Sequence, residues 1–199
     1  MKEMFKLGII LALYATAACV GLAFVYSGTQ RTIAEREQAD LEMALKELFP
    51  GADRFEDISG TIPSTDGAVS FSSQYSAFKD GRVQGVAVRA SAGSYGGPII
   101  VLAGVGADGK ISGVKILENP DTPGLGANAS LPTYYVDRAK GTTFYGQFSG
   151  KSVGDPFEAK NDVAAITAST ITSRAVSLAV KVSGEAAYAW LSAQGGSGK

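Results

Sequence analysis

No charged residue occurs between Leu7 and Gln30, and Leu7 to Tyr26 is almost wholly apolar. At about 1.5 Å per residue, some 20 such residues cross the ~30 Å hydrocarbon core of a bilayer. A helix is required there, because lipid offers an open backbone no hydrogen-bond partners. Phe24 and Tyr26 suit the far interface. Ala15-Thr16-Ala17 resembles a leader-peptide cleavage site, but the apolar run continues well past it. Cys19 as a lipid-bearing cysteine would have Thr16 where a leucine-like residue is usual. The expectation is therefore one uncleaved anchor over 1–30. Lys2 and Lys6 precede the span while Arg31 and Arg36 come after it, so loop charge does not fix its orientation.

Beyond the span the period becomes that of an amphipathic helix. Leu41, Ala44, Leu45 and Leu48 form one stripe of a helix predicted over Thr32–Phe49, stopped by Pro50-Gly51. Asp53–Gly67, rich in Gly, Pro, Ser and Asp, reads as loop, so that 31–67 connects the anchor to the globular domain. Four strand-like stretches come next: Ala68–Phe78, Arg82–Ala90, Pro98–Val105 and Ile111–Leu117. Asp80-Gly81 separates the first two and Asp108-Gly109 the last two, the strongest short-range hairpin signal. Leu131–Lys140 is predicted as a short helix with Pro132 in its first turn, and Ile171–Leu191 as a longer one that Gly184 interrupts. Residues 195–199 read as a disordered tail. Hairpins with helices set apart imply an α+β domain over 68–194, an antiparallel sheet with flanking helices, preceded by one transmembrane helix.

Composition narrows the chemistry. Among 199 residues there is no histidine and one cysteine, with a formal net charge of -1. That removes Ser-His and Cys-His nucleophile pairs and histidine-ligated zinc, and leaves no metal site to nominate. A nucleic-acid partner needs a basic face, which this balance does not suggest. With no catalytic residue to nominate, chemistry would have to come from a cofactor.

Three places are candidates for holding one. Thr167-Ala168-Ser169-Thr170-Ile171-Thr172-Ser173 stands ahead of the last helix. Its hydroxyls can cap that helix, or the helix's free N–H groups can receive a phosphate, and composition alone favours capping. Asp121-Thr122-Pro123-Gly124-Leu125-Gly126 is a rigid turn with an exposed leucine, either an ordinary exit loop or a wall for a flat ligand. Tyr95-Gly96-Gly97-Pro98 is again a turn or a close-approach site.

Taken in order, Tyr95-Gly-Gly-Pro98, then Thr122-Pro-Gly-Leu-Gly126, then the small-residue box from Thr167 onward resemble the FMN-binding domain family. More narrowly, they resemble the G subunits of Rnf-type ferredoxin:NAD oxidoreductase complexes, relatives of the C subunit of sodium-translocating NADH:quinone reductase. The resemblance covers nearly the whole chain. It implies that Thr170 carries FMN through a phosphoester made by a flavin transferase, with Thr167, Ser169 and Thr172 beside it. It also implies that Thr122, Pro123, Gly124, Leu125 and Gly126 lie against the isoalloxazine ring, Leu125 as the apolar contact.

The family box reads D-x-x-[S/T]-G-A-T, and this chain departs from it in three places. Ala164 stands for the aspartate, with Asp162 two residues earlier. Ala168 stands for the glycine, and Ser169 for the alanine. The implied role is an electron-transfer subunit of a membrane-bound, ion-translocating complex, not a self-contained enzyme. Its implied partners are the other membrane subunits, and its domain lies on the extracytoplasmic side of the cell membrane. A stand-alone flavinylated electron carrier and a flavin-free membrane-anchored scaffold are the alternatives.

Overall fold

A single helix, α1, runs unbroken over Lys2–Leu48 in the computed structural model, which describes residues 2–196. The apolar span and the amphipathic stripe are thus one element, long and apolar enough near its start to cross a membrane. The chain divides into two compact units, Met1–Glu42 and Met43–Lys199.

In the second unit five antiparallel strands succeed one another in simple sequence order: β1 (Arg54–Asp57), β2 (Val69–Lys79), β3 (Arg82–Gly93), β4 (Pro98–Gly106) and β5 (Ile111–Glu118). The two Asp-Gly pairs make the turns expected of them, with Gly81 at φ 74° and Gly109 at φ 76°. Helix α2 (Thr170–Gly196) lies across β3 and β4. Val86, Val88, Val101, Ala103 and Val105 belong to the core on which Val176, Ala179, Val180 and Ala187 pack.

The end of α1 packs on the sheet as well. Ala87, Gly104 and Gly113 stand in one cross-strand row. A Cβ at Gly104 would come within 3.2 Å of Leu48 Cβ, and one at Gly85 within 2.6 Å of the Phe49 ring. The small residues therefore seat Leu48 and Phe49, and Glu47 adds an ion pair with Lys115 at 2.7 Å.

The structure departs from the pattern-based expectations in four places. Residues 53–67 are not all loop: β1 pairs with β2 as a short edge strand. Its charged residues, with only Phe55 half-buried, hide it, and charge is how exposed edges are usually protected. Residues 131–140 are not a helix. Leu131, which precedes Pro132, takes an extended backbone (φ −82°, ψ 125°), as a pre-proline residue should. A 3-10 turn over Gly126–Ser130 comes before it, and a small ribbon of β6 (Tyr135–Asp137) with β7 (Thr142–Thr143) after it. Gly184 does not interrupt α2; a Cβ there would meet Ile111 Cδ1 at 3.3 Å, so the glycine permits close helix–sheet packing. Helix α2 also continues to Gly196, while the last three residues of the expected disordered tail, 197–199, lie outside the described residues.

Candidate functional site

The two boxes that flank the site each contain a tight turn. In Thr122-Pro123-Gly124-Leu125, the Leu125 N–H donates to Thr122 O at 3.1 Å, and Gly124 sits at φ 79°. Proline second and glycine third with positive φ are the requirements of a type II turn. In Ile166-Thr167-Ala168-Ser169, the Ser169 N–H donates to Ile166 O at 3.0 Å, with Ala168 third at φ 60°. This position favours glycine, and alanine adopts it at a cost of about 1–2 kcal/mol. The departure at Ala168 therefore leaves the turn in place.

Asp121 joins all three boxes. Its buried carboxylate accepts from Ser94 Oγ, Gly96 N and Thr172 Oγ1, each at 2.5 Å. Burial by itself would raise its pKa, but the three donors outweigh it and hold the carboxyl below its ordinary value. Held at Ser94 and Gly96, the first loop sets the exposed ring of Tyr95 at the cleft. Gly126 makes room for this joint, because a Cβ there would collide with Asp121 Oδ2 and Thr172 Oγ1. The missing side chain at Gly126 thus makes room for the joint at the edge of the cleft. Asn119 braces the same loop, donating to Gly126 O at 3.0 Å.

The result is a cleft of about 560 Å³ at the N-terminus of α2, lined by Tyr95, Asp121, Thr122, Leu125, Gly126 and residues 168–172. Six of the nine expected binding residues line it: Thr122, Leu125, Gly126, Ser169, Thr170 and Thr172. Pro123, Gly124 and Thr167 do not; they belong to the two turns that shape it. Tyr95, Asp121, Ala168 and Ile171 complete the lining. The signal for Asp121 is a carboxylate opening a Pro-Gly turn, which does not by itself reveal a partner 51 positions away.

The hydroxyls at the start of α2 do not cap it in the expected way. Thr172 is engaged by Asp121, while Ser173 Oγ accepts from Ile166 N at 3.0 Å and donates to Ser169 O at 2.9 Å. Ser169 is buried with its Oγ unpartnered. The N–H groups of a first helical turn have no intrahelical acceptor and suit an anion. No lysine or arginine lines the cleft, and Asp121 is its one carboxylate.

Asp162 does not replace the family aspartate. It accepts from Lys151 Nζ, Phe157 N and Glu158 N, bracing the preceding loop, and lies outside the cleft. Burial would raise its pKa, but the bonds from Lys151 and the two backbone groups lower it. At Ala164 the backbone N–H and C=O are both held by the Gln147 amide, at 2.7 and 3.1 Å.

Residues 94–183 match the FMN-binding domain family, and residues 1–48 match the RnfG N-terminal region. The G subunit of the Na(+)-translocating ferredoxin:NAD(+) oxidoreductase complex of Acetobacterium woodii is 34% identical over 92% of this chain and 90% of its own length. The chain belongs to the G-subunit family of ion-translocating oxidoreductase complexes. Another member, from Methanosarcina acetivorans, is 30% identical over 88% of this chain and 89% of its own. The G subunit of the proton-translocating complex of Clostridium ljungdahlii is 32% identical over 80% and 78%. The crystal structure of Shewanella oneidensis NqrC shares the fold, with a TM-score of 0.50 and 16% identity over 74% of this chain and 88% of that one. FMN is the cofactor that the matched domain indicates.

The cleft fits that group. A helix terminus and the unpartnered Ser169 hydroxyl suit a phosphate, while Leu125 and Tyr95 offer apolar surface to a flat ring. If Leu125 borders the ring, Leu125→Asp places a carboxylate beside it and disfavours negative charge there. The flavin midpoint should fall by tens of millivolts, on the scale where ~30 mV is about 1.4 kcal/mol for two electrons. Redox titration checks this; an unshifted midpoint means that Leu125 does not border the ring.

Proposed function

We propose that this G-family subunit carries FMN as a phosphoester on Thr170 and passes electrons within a membrane-bound, ion-translocating ferredoxin:NAD oxidoreductase complex. The observation that carries the reading is the convergence of three separate boxes on one cleft, with Thr170 at the first helical position beside it. Bound flavin supplies the redox chemistry. This chain's residues do the rest: the α2 terminus and neighbouring hydroxyls receive the phosphate, Leu125 and Tyr95 limit water at the ring, and Asp121 keeps the walls in register.

In the division of labour we propose, 1–30 is the anchor, 31–67 the connection and 68–194 the flavin-carrying domain. The anchor makes one membrane pass and the domain lies outside the cytoplasm, where a covalent link retains a cofactor that is scarce in free form. Other membrane subunits are the electron partners, and a flavin transferase is the maturation partner. The positive φ at Ala168 supports this reading over the flavin-free scaffold, because the substituted box keeps its turn.

Co-expression with a flavin transferase is expected to give a yellow chain whose fluorescence survives denaturation, and a colourless chain would favour the scaffold. Protease added to spheroplasts should digest the domain along with a periplasmic control. Protection of the domain while the control is cut would reverse the orientation.

A further inference from the structure

The cleft is poor in positive charge for a site that receives a phosphate. Asp121 puts one carboxylate there, and no lining residue is basic. A phosphodiester adds a second negative charge. The helix terminus offers roughly half a positive unit against the two. Unless a cation comes from beyond the lining, two anions stand close together in a partly dehydrated space, where their repulsion is far stronger than in water.

Arg174 lies one turn along α2 from the acceptor. It is four positions after Thr170 and three after Ile171, and both of those residues line the cleft. Helical side chains lean toward the N-terminus, and residues three or four apart are surface neighbours with Cβ atoms roughly 5–6 Å apart. Arg174 therefore shares a face of α2 with Thr170 and Ile171, and its long stem can reach the gap between them. Arg174 is exposed, and among the described residues its side chain makes no ion pair or hydrogen bond. Its five N–H donors suit two phosphate oxygens at once.

We propose that Arg174 is the counter-ion of the phosphate carried at Thr170, a binding residue supplied from just outside the cleft. The proposal rests on the flavin reading above. It makes Arg174 idle in the unloaded chain and engaged in the loaded one. A merely solvated surface arginine would behave identically in both.

The test uses the full chain in detergent, produced with and without a co-expressed flavin transferase, as wild type, Arg174→Gln and Arg174→Lys. Melting is tracked by circular dichroism at low and high salt. Without flavin, the three should melt together. Loading should raise the Tm of wild type, and the rise should be smaller by about 2–4 °C in Arg174→Gln and largely restored in Arg174→Lys. The difference should shrink at high salt, as expected of an exposed ion pair.

Loss of loading in Arg174→Gln with loading kept in Arg174→Lys also supports the counter-ion, because charge is then what is required. Equal rises on loading in wild type and Arg174→Gln overturn it and leave the flavin reading intact. Loss of loading in both variants overturns it too. Failure of the wild type to load overturns the flavin reading, and this proposal with it.

Discussion

Asp121→Ala should lower the stability of the unloaded chain by about 3–5 kcal/mol and leave a chain that takes up little flavin. Asp121 is 5% exposed, and its carboxylate receives hydrogen bonds from Ser94, Gly96 and Thr172. Removing it strands the hydroxyl of Thr172, a residue 2% exposed, at about 1–3 kcal/mol, and cuts the bonds from half-buried Ser94 and exposed Gly96, at about 1 kcal/mol each. In a domain of this size that amounts to a fall in Tm of roughly 10 °C. The three loops also lose their common tie, so Tyr95 and Leu125 are no longer fixed relative to Thr170. Thermal melting and flavin content measure the two effects separately. Near-normal Tm with full loading would mean that Asp121 is not the joint.

The pH dependence of that contribution has a defined sign. The folded pKa of Asp121 lies below its ordinary value, so the unfolded chain binds the proton first as pH falls. The stabilisation is complete above about pH 4 and is lost as pH drops from there through the lower folded pKa. Asp162 and Asp57, also lowered, add in the same direction. In Asp57 the cause is the hydrogen bonds from Ser59, the larger from its side chain and the other from its backbone. The acid limb of the melting curve should therefore be shallower in Asp121→Ala than in the wild type.

Much of the fold is legible in the sequence because its signals are local. Asp80-Gly81 places φ > 0 at both positions of a two-residue turn, Gly109 does so once in the four-residue turn between β4 and β5, and the alternation of Val86 and Val88 marks a strand whichever way the chain goes next. The stripe of Ala44, Leu45 and Leu48 is visible in the sequence, but the glycine row that receives it is not, because Gly104 and Gly113 meet only through strand register. Strand β1 escapes notice because its four residues, mostly charged, hardly alternate. In 131–140 the proline suggests a helix start, but its effect on Leu131 is the stronger influence.

The site divides along the same line. Turn residues at 122–125 and hydroxyls at 169–172 can be read in place, whereas the tie through Asp121 spans separate segments and needs the folded chain. The hydroxyl box shows a second limit. Caps are the simplest use for Ser169, Thr172 and Ser173, yet packing gives Thr172 to Asp121 and Ser173 to the Ile166 turn, leaving Ser169 unpartnered.

Thr170→Ala should abolish covalent flavin altogether while leaving the fold unchanged. The Thr170 hydroxyl makes no hydrogen bond among the described residues, so its loss strands no partner. Alanine is also the better helix former, and any change in stability should stay below about 1 kcal/mol. Ser169→Ala and Thr172→Ala should both retain the flavin, although Thr172→Ala also removes a donor to Asp121 and should melt earlier. The contrast between no flavin with normal melting and normal flavin with earlier melting separates attachment from support.

The most direct measurement is the intact mass of the full chain co-expressed with a flavin transferase, together with mapping of the tryptic peptide 161–174. The expected result is one added FMN less one water, carried on Thr170 and absent from Thr170→Ala. An unmodified chain, or the same mass carried on Thr167, Ser169 or Thr172, would contradict the assignment of Thr170.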